Sequence, residues 1–209
     1  MGVVCYASSM SSATRVKRTA TYEDLCRLPD NVVGEILDGD LYASPRPSTP
    51  HAAAASALGG ELMGPFQHGR GGPGGWWLLL EPELHLGPDV VVPDWAGWRV
   101  ERLPRIPAAA FLTIPPDWVC EVLSGSTERI DRVKKLAVYA REDVRHAWLV
   151  NPIQRTLEVL RLESRRWVLM GTQEGDARVR AEPFDAIDLD LALLWAACSP
   201  PEKPGPADR

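Results

Sequence analysis

The chain has 209 residues, of which 45% are hydrophobic and 24% charged, as in ordinary globular domains. Its net charge of -5 at pH 7 excludes a protein that coats nucleic acid through a general positive field, although a local basic groove beside an acidic site remains compatible with it. No segment approaches the roughly 20 apolar residues of a membrane span, and the short apolar stretch near the N-terminus does not make a signal-peptide core. We therefore expect no membrane association.

Four cysteines, Cys5, Cys26, Cys120 and Cys198, lie far apart and form no C-x-x-C pair. This spacing argues against a zinc ribbon and against a dithiol redox motif. Cys120 stands in an apolar run, which is typical of a buried small hydrophobic residue. The lack of a disulfide framework favours a reducing, cytoplasmic compartment.

The composition divides the chain into one domain and two tails. We expect a flexible N-terminal tail over residues 1–20, which is rich in Ser and Thr, and a disordered C-terminal tail over 198–209, which is rich in Pro and charge. Residues 21–197 are enough for a single domain with a real core.

In chain order, the first element is a short helix. Thr21 and Asp24 form a loose capping box, and the helix should end near Pro29. Asp38-Gly39, flanked by strand-like residues, predicts a hairpin. The Ala-rich stretch from residue 51 to about 66 predicts a second helix, although Gly59-Gly60 weakens that prediction.

A glycine-rich loop over residues 68–75 matches G-x-G-x-x-G formally. A strand follows it rather than a helix, so a phosphate-cradling role is disfavoured.

The remaining chain alternates strands and helices. We predict strands over 76–86 (bent at Pro82), 90–98, 118–123 and 145–150, a helix over 128–142, a meander over 154–162 and 167–170, and a last helix over 190–197. The unit formed by 118–123, 128–142 and 145–150 implies two parallel strands with a right-handed crossover. The predicted fold is a mixed α/β sheet flanked by helices.

Two carboxylates stand out. Asp94 follows Pro93 at a strand, and Glu121 lies in the middle of an apolar strand, where a charge is costly unless it is compensated. Glu121 could pair with an arginine, face a solvated cleft, or hold a metal ion. Mg²⁺ prefers one or two carboxylates with water and phosphate oxygens, and a nearby lysine can stabilise charge on a reacting phosphate. Asp94, Glu121 and the basic pair on the following helix thus suggest a nuclease metal site.

The residues that carry a family resemblance run through nearly the whole domain, from about Tyr22 to Trp195. They are Glu35-Ile-Leu-Asp-Gly-Asp-Leu, Ser44-Pro, His51, Pro93-Asp94, Asp117-Trp-Val-Cys-Glu-Val-Leu-Ser124, Ser126-Thr127, Asp131-Arg-Val-Lys-Lys-Leu-Ala-Val-Tyr139 and His146-Ala-Trp-Leu-Val-Asn-Pro152. In order and spacing the chain resembles the PD-(D/E)XK restriction-endonuclease-like superfamily and, within it, the bacterial Uma2-type endonuclease family. The resemblance implies a restriction-endonuclease-like fold, a Mg²⁺ or Mn²⁺ cofactor held by Asp94 and Glu121, and hydrolysis of nucleic acid, DNA in particular.

One position departs from the superfamily signature, which places a lysine two residues after the acidic strand residue, where this chain has Leu123. The resemblance implies that the lysine has moved to the helix and points to Lys135. Helical spacing alone does not decide between Lys134 and Lys135. The packed face would consist of Ile130, Val133, Leu136, Ala137 and Ala140, with Lys134 beside it. Lys135 would lie nearly opposite, in an Asp131–Lys135–Tyr139 stripe in which Asp131 and Lys135 form a solvated i, i+4 pair.

Other residues are secondary candidates. By resemblance, Glu35 matches an acidic family position and could ligate metal or position the lysine; otherwise it is a hairpin charge. Asp89 lies before its strand and not at the strand's end, and His51 could touch phosphate or serve as a cap or surface group. The hydroxyls of Ser124, Ser126 and Thr127 most simply cap a helix. A further set could contact substrate, as phosphate-binding cations or as cleft aromatics: Arg129, Arg132, Lys134, Trp95 and Trp98.

Three functions remain open from the sequence. The favoured one is a metal-dependent endonuclease with Asp94, Glu121, Lys135 and Glu35 as site residues, and a homodimer would suit cleavage of both strands of a duplex. The alternatives are a catalytically inactive nucleic-acid-binding relative, since fold does not fix function, and an interaction domain in which Glu121 is only ion-paired.

Overall fold

The computed structural model of the chain describes residues 19–198. The two predicted tails lie almost wholly outside this range. Where the tails are described, the chain is attached to the domain: the Ala20 amide donates to the Gly39 carbonyl over 2.8 Å, and Cys198 is buried.

The first elements follow the predicted local signals. Helix α1 (Tyr22–Cys26) begins at a capping box in which Thr21 and Asp24 satisfy each other's backbone amides. Strands β1 (Val32–Leu37) and β2 (Asp40–Pro45) form the predicted hairpin. Asp38 and Gly39 at its tip both have positive φ, 52° and 79°, which a two-residue hairpin turn needs.

Two sheets build the body of the domain. A four-stranded antiparallel sheet has the order β2-β1-β5-β4, and a six-stranded mixed sheet has the order β10-β9-β8-β7-β6-β3. The strands not yet given are β3 (Trp76–Leu80), β4 (Leu84–Leu86), β5 (Asp89–Val91), β6 (Trp95–Arg99), β7 (Trp118–Val122), β8 (His146–Asn151), β9 (Thr156–Glu163) and β10 (Arg166–Glu174). A small pair, β11 (Arg178–Val179) and β12 (Leu189–Asp190), completes the strands of the described chain.

The predicted long strands over 76–86 and 90–98 are each wrong as single elements. The chain leaves the large sheet after β3, turns through Glu81 at a φ of 47° and Pro82, and enters the small sheet as β4. It returns from β5 to β6 across Pro93, whose missing amide hydrogen cannot support a continuous ladder. These two crossings join the sheets at the position of Asp94.

The predicted crossover unit is confirmed. β7 and β8 are parallel, with Glu121 opposite Leu149, and the connecting segment is helical. That segment comprises α3 (Glu128–Ile130), a π-helical turn (Asp131–Lys135) and α4 (Leu136–Arg141). The π turn carries Asp131 and Lys135.

The predicted packed face of this helix is wrong in part. Ile130 and Leu136 pack against the core as predicted, but Val133 is 59% exposed and Ala137 is also exposed. Asp131, Lys135 and Tyr139 are buried instead. The stripe expected to be solvated is the stripe that faces the interior.

Helix α2 (Thr49–Leu62), extended by a π-helical turn (Met63–Gln67), covers one face of the large sheet. The predicted bounds of 51–66 were close. Gly59 permits this packing, since a β-carbon there would lie 2.4 Å from Cζ2 of Trp95. The last helix, α5 (Ala192–Trp195), packs on α2, and the start of the predicted 190–197 helix is instead part of β12.

Side chains alternate between the two faces of the large sheet and form two cores. One core, on the α2 side, contains Trp76, Trp95, Trp118 and Trp148. The other contains Trp98, Val119, Leu123 and Tyr139 and lies under α4. Within residues 19–198, no helix is long and apolar enough to cross a membrane.

Candidate functional site

A cavity of about 190 Å³ opens where the two sheets meet the crossover helix. Its walls come from β1, the start of α2, the junction before β6, the end of β7 and the π turn. The predicted residues Glu35, Asp94, Glu121 and Lys135 all line it, together with His51. The fold therefore brings together four side chains that the sequence analysis selected separately.

Lys135 lies at the centre of the acidic group, with only 3% of its surface exposed. Its Nζ is 2.8 Å from Oε2 of Glu121, 3.1 Å from Oε1 of Glu35 and 3.6 Å from Oδ1 of Asp131. It also donates to the carbonyl of Val92 over 3.0 Å. Burial alone would lower the pKa of Lys135, but the Glu121 and Glu35 charges raise it well above its usual value, so the lysine stays protonated.

Glu121 is held from two sides. It points to the α4 side of the sheet, where Lys135 donates to Oε2 and the Tyr139 hydroxyl donates to Oε1 over 2.6 Å. Burial raises the pKa of Glu121 well above its usual value, Lys135 opposes that rise, and the charges of Asp131 and Asp94 reinforce it. The carboxylate is oriented and short of positive charge.

Asp94 follows the last pair of the β6–β7 ladder, which is Trp95 opposite Cys120. The next position in this register puts Asp94 beside Glu121, on the same face of the sheet. Oδ2 of Asp94 accepts from the Val122 amide over 2.6 Å, which fixes the carboxylate across the strand gap.

His51, on the first turn of α2, supports Asp94. Its Nε2 lies 3.1 Å from each carboxylate oxygen of Asp94. Burial lowers the pKa of His51, but Asp94 more than reverses this and the net shift is upward. Its Nδ1 is buried and has no hydrogen-bond partner among the described residues. The His51 side chain faces the cavity, so His51 is not a surface group, and its contact with phosphate stays a prediction.

Glu35 and Asp131 complete the acidic wall. Oε1 of Glu35 accepts from the Val92 amide over 2.8 Å, so this residue ties β1 to the segment before Asp94. Burial raises the pKa of Asp131 to about 6, and Lys135 and the Thr127 hydroxyl oppose that rise.

The cavity is lined by five acidic residues, Glu35, Glu81, Asp94, Glu121 and Asp131, and by the basic residues Arg46, His51 and Lys135. Lys135 pairs with three of the acids, Glu35, Glu121 and Asp131. Acidic groups therefore outnumber basic ones, and burying uncompensated charge is costly. Within residues 19–198, no group of three or more His, Cys, Asp or Glu side chains is arranged to hold a metal ion. Two carboxylates completed by water and phosphate oxygens are nevertheless the usual Mg²⁺ donor set, so Asp94 and Glu121 fit this ion.

Several secondary candidates lie outside the cavity. Lys134 pairs with Asp38 over 3.0 Å at the surface, away from Glu121. Asp89 is fully buried and pairs with Arg141 while accepting from the Asp38 amide. Arg132 is engaged by Glu128 and Glu158. These pairs are structural, and they leave Lys135 as the lysine of the site.

Other expectations need correction. Trp95 and Trp98 lie in the cores, where their indole nitrogens donate to backbone carbonyls, and neither lines the cavity. The hydroxyl cluster does not cap α3 through its side chains. Instead Ser124 contacts Ser126 and Thr127 over 3.0 and 2.9 Å, and all three hydroxyl residues line the cavity.

Sequence reasoning missed the roles of Tyr139 and Asp131 as buried partners of Glu121 and Lys135. A signal was present, since both lie four residues from Lys135 on the noted Asp131–Lys135–Tyr139 stripe. Two acidic or hydroxyl groups flanking a lysine along one helix stripe are consistent with a buried polar network as well as with a solvated face.

Comparison with known proteins identifies the family and the fold of the chain. A family model named Uma2, described as "Putative restriction endonuclease", matches residues 19–193. A crystal structure of a putative nuclease from Anabaena variabilis matches with a TM-score of 0.68 and 22% sequence identity, covering 85% of this chain and 98% of that chain. At this sequence identity, the similarity shows that the two proteins share a fold. No curated protein matches the chain.

Proposed function

Since the chain belongs to the Uma2 family of restriction-endonuclease-like proteins, we propose that it is a metal-dependent endonuclease that hydrolyses phosphodiester bonds of DNA at the Asp94–Glu121 cavity. The family and the fold support a nuclease in general terms. The metal, the substrate and the residue roles are our proposal.

One observation carries the proposal. Five acidic residues line an open cavity whose basic residues are Arg46, His51 and Lys135, so the acidic groups of the site outnumber the basic ones. A purely structural ion pair would balance its charges, as Arg102 does with Asp117. An uncompensated, preorganised carboxylate pair is what a divalent cation requires.

Asp94 and Glu121 would hold Mg²⁺ or Mn²⁺. When bound, such an ion polarises a phosphodiester and lowers the pKa of a coordinated water.

The surrounding residues orient this pair. His51 and the Val122 amide fix Asp94, while Lys135 and the Tyr139 hydroxyl fix Glu121. The charge of Lys135 lies next to the reacting position and would stabilise negative charge that develops on the phosphate. Glu35 holds Lys135 in place.

The test is cleavage of plasmid DNA and of RNA by purified protein in Mg²⁺ or Mn²⁺, with EDTA as the blank. Glu121→Gln and Asp94→Asn should each lower cleavage by at least the roughly 100-fold seen at the upper end for loss of an outer-shell metal partner. Lys135→Ala should lower it as well.

Matched controls are available on the surface. Glu163→Gln, Asp188→Asn and Lys134→Ala change partly exposed residues that take part in surface ion pairs and do not line the cavity. These variants should cleave like the wild type. If the wild type cleaves neither DNA nor RNA while calorimetry shows carboxylate-dependent Mn²⁺ binding, the protein is the catalytically inactive relative and the nuclease proposal is wrong.

We further propose a homodimer and a cytoplasmic location. Each chain has one such cavity among its described residues, so cutting both strands of a duplex is simplest with two copies related by a two-fold axis. Cys26, Cys120 and Cys198 are free thiols, in keeping with a reducing compartment. Light scattering of the purified protein measures the first proposal, and a monomeric mass at the assay concentration would contradict it.

A further inference from the structure

A second pocket, of about 270 Å³, lies at the opposite end of the large sheet from Glu121. Its lining residues come from the start of β3, the end of β6 and the starts of β7 and β8: Trp76, Arg99, Glu101, Arg102, Asp117, Arg145 and His146. The two cavities share no lining residue.

The strand register separates the two cavities further. Trp118 pairs with His146, and Trp76 pairs with Arg99, and direct partners share a face of the sheet. Trp76 and Trp118 belong to the core on the α2 side. Glu121 is three residues from Trp118 and points to the other face. The second pocket is therefore on the other face as well as at the other end, about 10 Å away along β7 at the usual rise per residue.

The charge of this pocket is opposite to that of the acidic cavity. Arg102 and Asp117 neutralise each other at 2.8 Å, and Asp117 also accepts from the Arg99 amide over 2.9 Å. Within residues 19–198, Arg99 and Arg145 form no ion pair with a carboxylate, so Glu101 is left as the only other acid of the lining. Two arginines against one glutamate leave a positive balance in a protein whose net charge is -5.

Arg99 is also preorganised. The Arg99 guanidinium lies 4.5 Å over the ring of Trp76, which is itself buried and fixed in the core. Stacking of this kind holds the planar group while leaving its edge donors open.

His146 adds a polar group that lacks a partner. Its Nδ1 is buried and has no hydrogen-bond partner among the described residues. Burial lowers the pKa of His146, Glu182 opposes this, and the charges of Arg99, Arg161 and Arg145 lower it further, so the ring is neutral at neutral pH. A neutral imidazole carries one N–H that can donate to an anion.

We propose that this second pocket binds a phosphate group, with Arg99 and Arg145 as its charged donors. A guanidinium presents paired N–H donors that match the spacing of phosphate oxygens, and charge-assisted bonds of this kind are the strong ones. The phosphate can be inorganic or the terminal monoester of a nucleotide, since both present the same dianionic group. The proposal is independent of the proposed nuclease function, because it uses none of the residues of the acidic cavity.

The test is isothermal titration of inorganic phosphate into the full chain, in a phosphate-free buffer with EDTA so that the acidic cavity holds no metal. A nucleoside monophosphate is titrated in parallel, and chloride at equal ionic strength is the blank. Arg99→Gln and Arg145→Gln should each weaken binding about tenfold or more. Arg178→Gln, an exposed arginine outside this pocket, should bind like the wild type.

Arg145→Gln keeps the test decisive if Arg99→Gln disturbs Trp76 and fails to fold, because Arg145 is exposed and takes part in no side-chain contact of the core. Equal affinity for the two ligands would show that the pocket recognises the phosphate group alone. Tighter binding of the nucleotide would show that the pocket prefers a phosphate monoester. Both outcomes support the proposal. No heat with either ligand, or binding that Arg145→Gln leaves unchanged, would overturn it.

Discussion

Replacing Lys135 by Met tests whether the positive charge of Lys135 stabilises the buried carboxylates of the cavity. In residues 19–198, Lys135 is the only cation paired with Glu35, Glu121 and Asp131, and methionine keeps much of its length while removing the charge. Removing one partner of a buried ion pair costs about 3–5 kcal/mol, because the other charge stays buried without compensation. We expect the free energy of unfolding of Lys135→Met to fall by about that amount at pH 8.

The matched control is Lys134→Met, one residue away. Lys134 pairs with Asp38 with side chains 36% and 45% exposed, and exposed pairs contribute about 0–1 kcal/mol. Both variants replace a lysine by a methionine, and the two lysines differ in how deeply they are buried.

The stability lost in Lys135→Met should increase as the pH rises. Burial raises the pKa of Glu121 and that of Asp131, the latter to about 6, and Lys135 opposes both shifts. Without Lys135 these pKa values rise further, so the folded variant binds more protons than the unfolded chain. Stability from such groups is present below their unfolded pKa and is lost as pH rises through the folded pKa. The deficit should be small near pH 4 and largest above about pH 7.

The measurement is urea unfolding of both variants and the wild type at the two pH values in EDTA, repeated with Mn²⁺. A divalent cation should restore part of the lost stability of Lys135→Met because it supplies positive charge to the same carboxylates. A deficit equal to that of Lys134→Met, or one that does not change with pH, would refute the reasoning.

Three further predictions concern single side chains. Gly59→Ala should lower the unfolding free energy by about 1–3 kcal/mol, because the added β-carbon would lie 2.4 Å from the Trp95 ring. Gly60→Ala should raise the unfolding free energy by about 0.5–1 kcal/mol, because nothing lies within 4 Å of its added β-carbon. Equal effects of the two variants in thermal unfolding would contradict this prediction. His51→Gln should weaken calorimetric Mn²⁺ binding roughly 10–100-fold, and unchanged affinity would remove its positioning role. The pKa of Asp131 is about 6 in the folded protein and 3.8 in the unfolded chain, so the wild type loses stability between pH 4 and pH 7. Over this range the unfolding free energy of Asp131→Asn should rise relative to the wild type by up to about 3 kcal/mol, measured by urea unfolding without metal. A fall relative to the wild type would contradict this prediction.

Local signals predicted the local structure. The capping box at Thr21, the hairpin at Asp38-Gly39 and the parallel β7–β8 pair each depend on residues close in sequence, and all three are present. The division of 76–86 and 90–98 between two sheets was not predictable from alternation, because each half keeps the apolar pattern of a strand whichever sheet it joins.

The site was predictable only in part. A glutamate in the apolar strand Trp118–Val122 identified Glu121 on energetic grounds, and the resemblance supplied Asp94 and Lys135. The network around them depends on tertiary contacts, such as that of His51 with Asp94 across 43 residues, which no local pattern encodes.

The position of Lys135 shows how tertiary contacts decide the chemistry of the site. The sequence analysis placed this lysine in solvent because it assumed that the apolar residues of the helix form its inner face. The buried residues Asp131, Lys135, Val138 and Tyr139 keep ordinary helical spacing, while Val133 is turned outward. Leu123, at the strand position where the superfamily signature has its lysine, is buried in the core under α4. The strand thus packs at that position without a second buried charge, and the helix brings the cation to Glu121 instead.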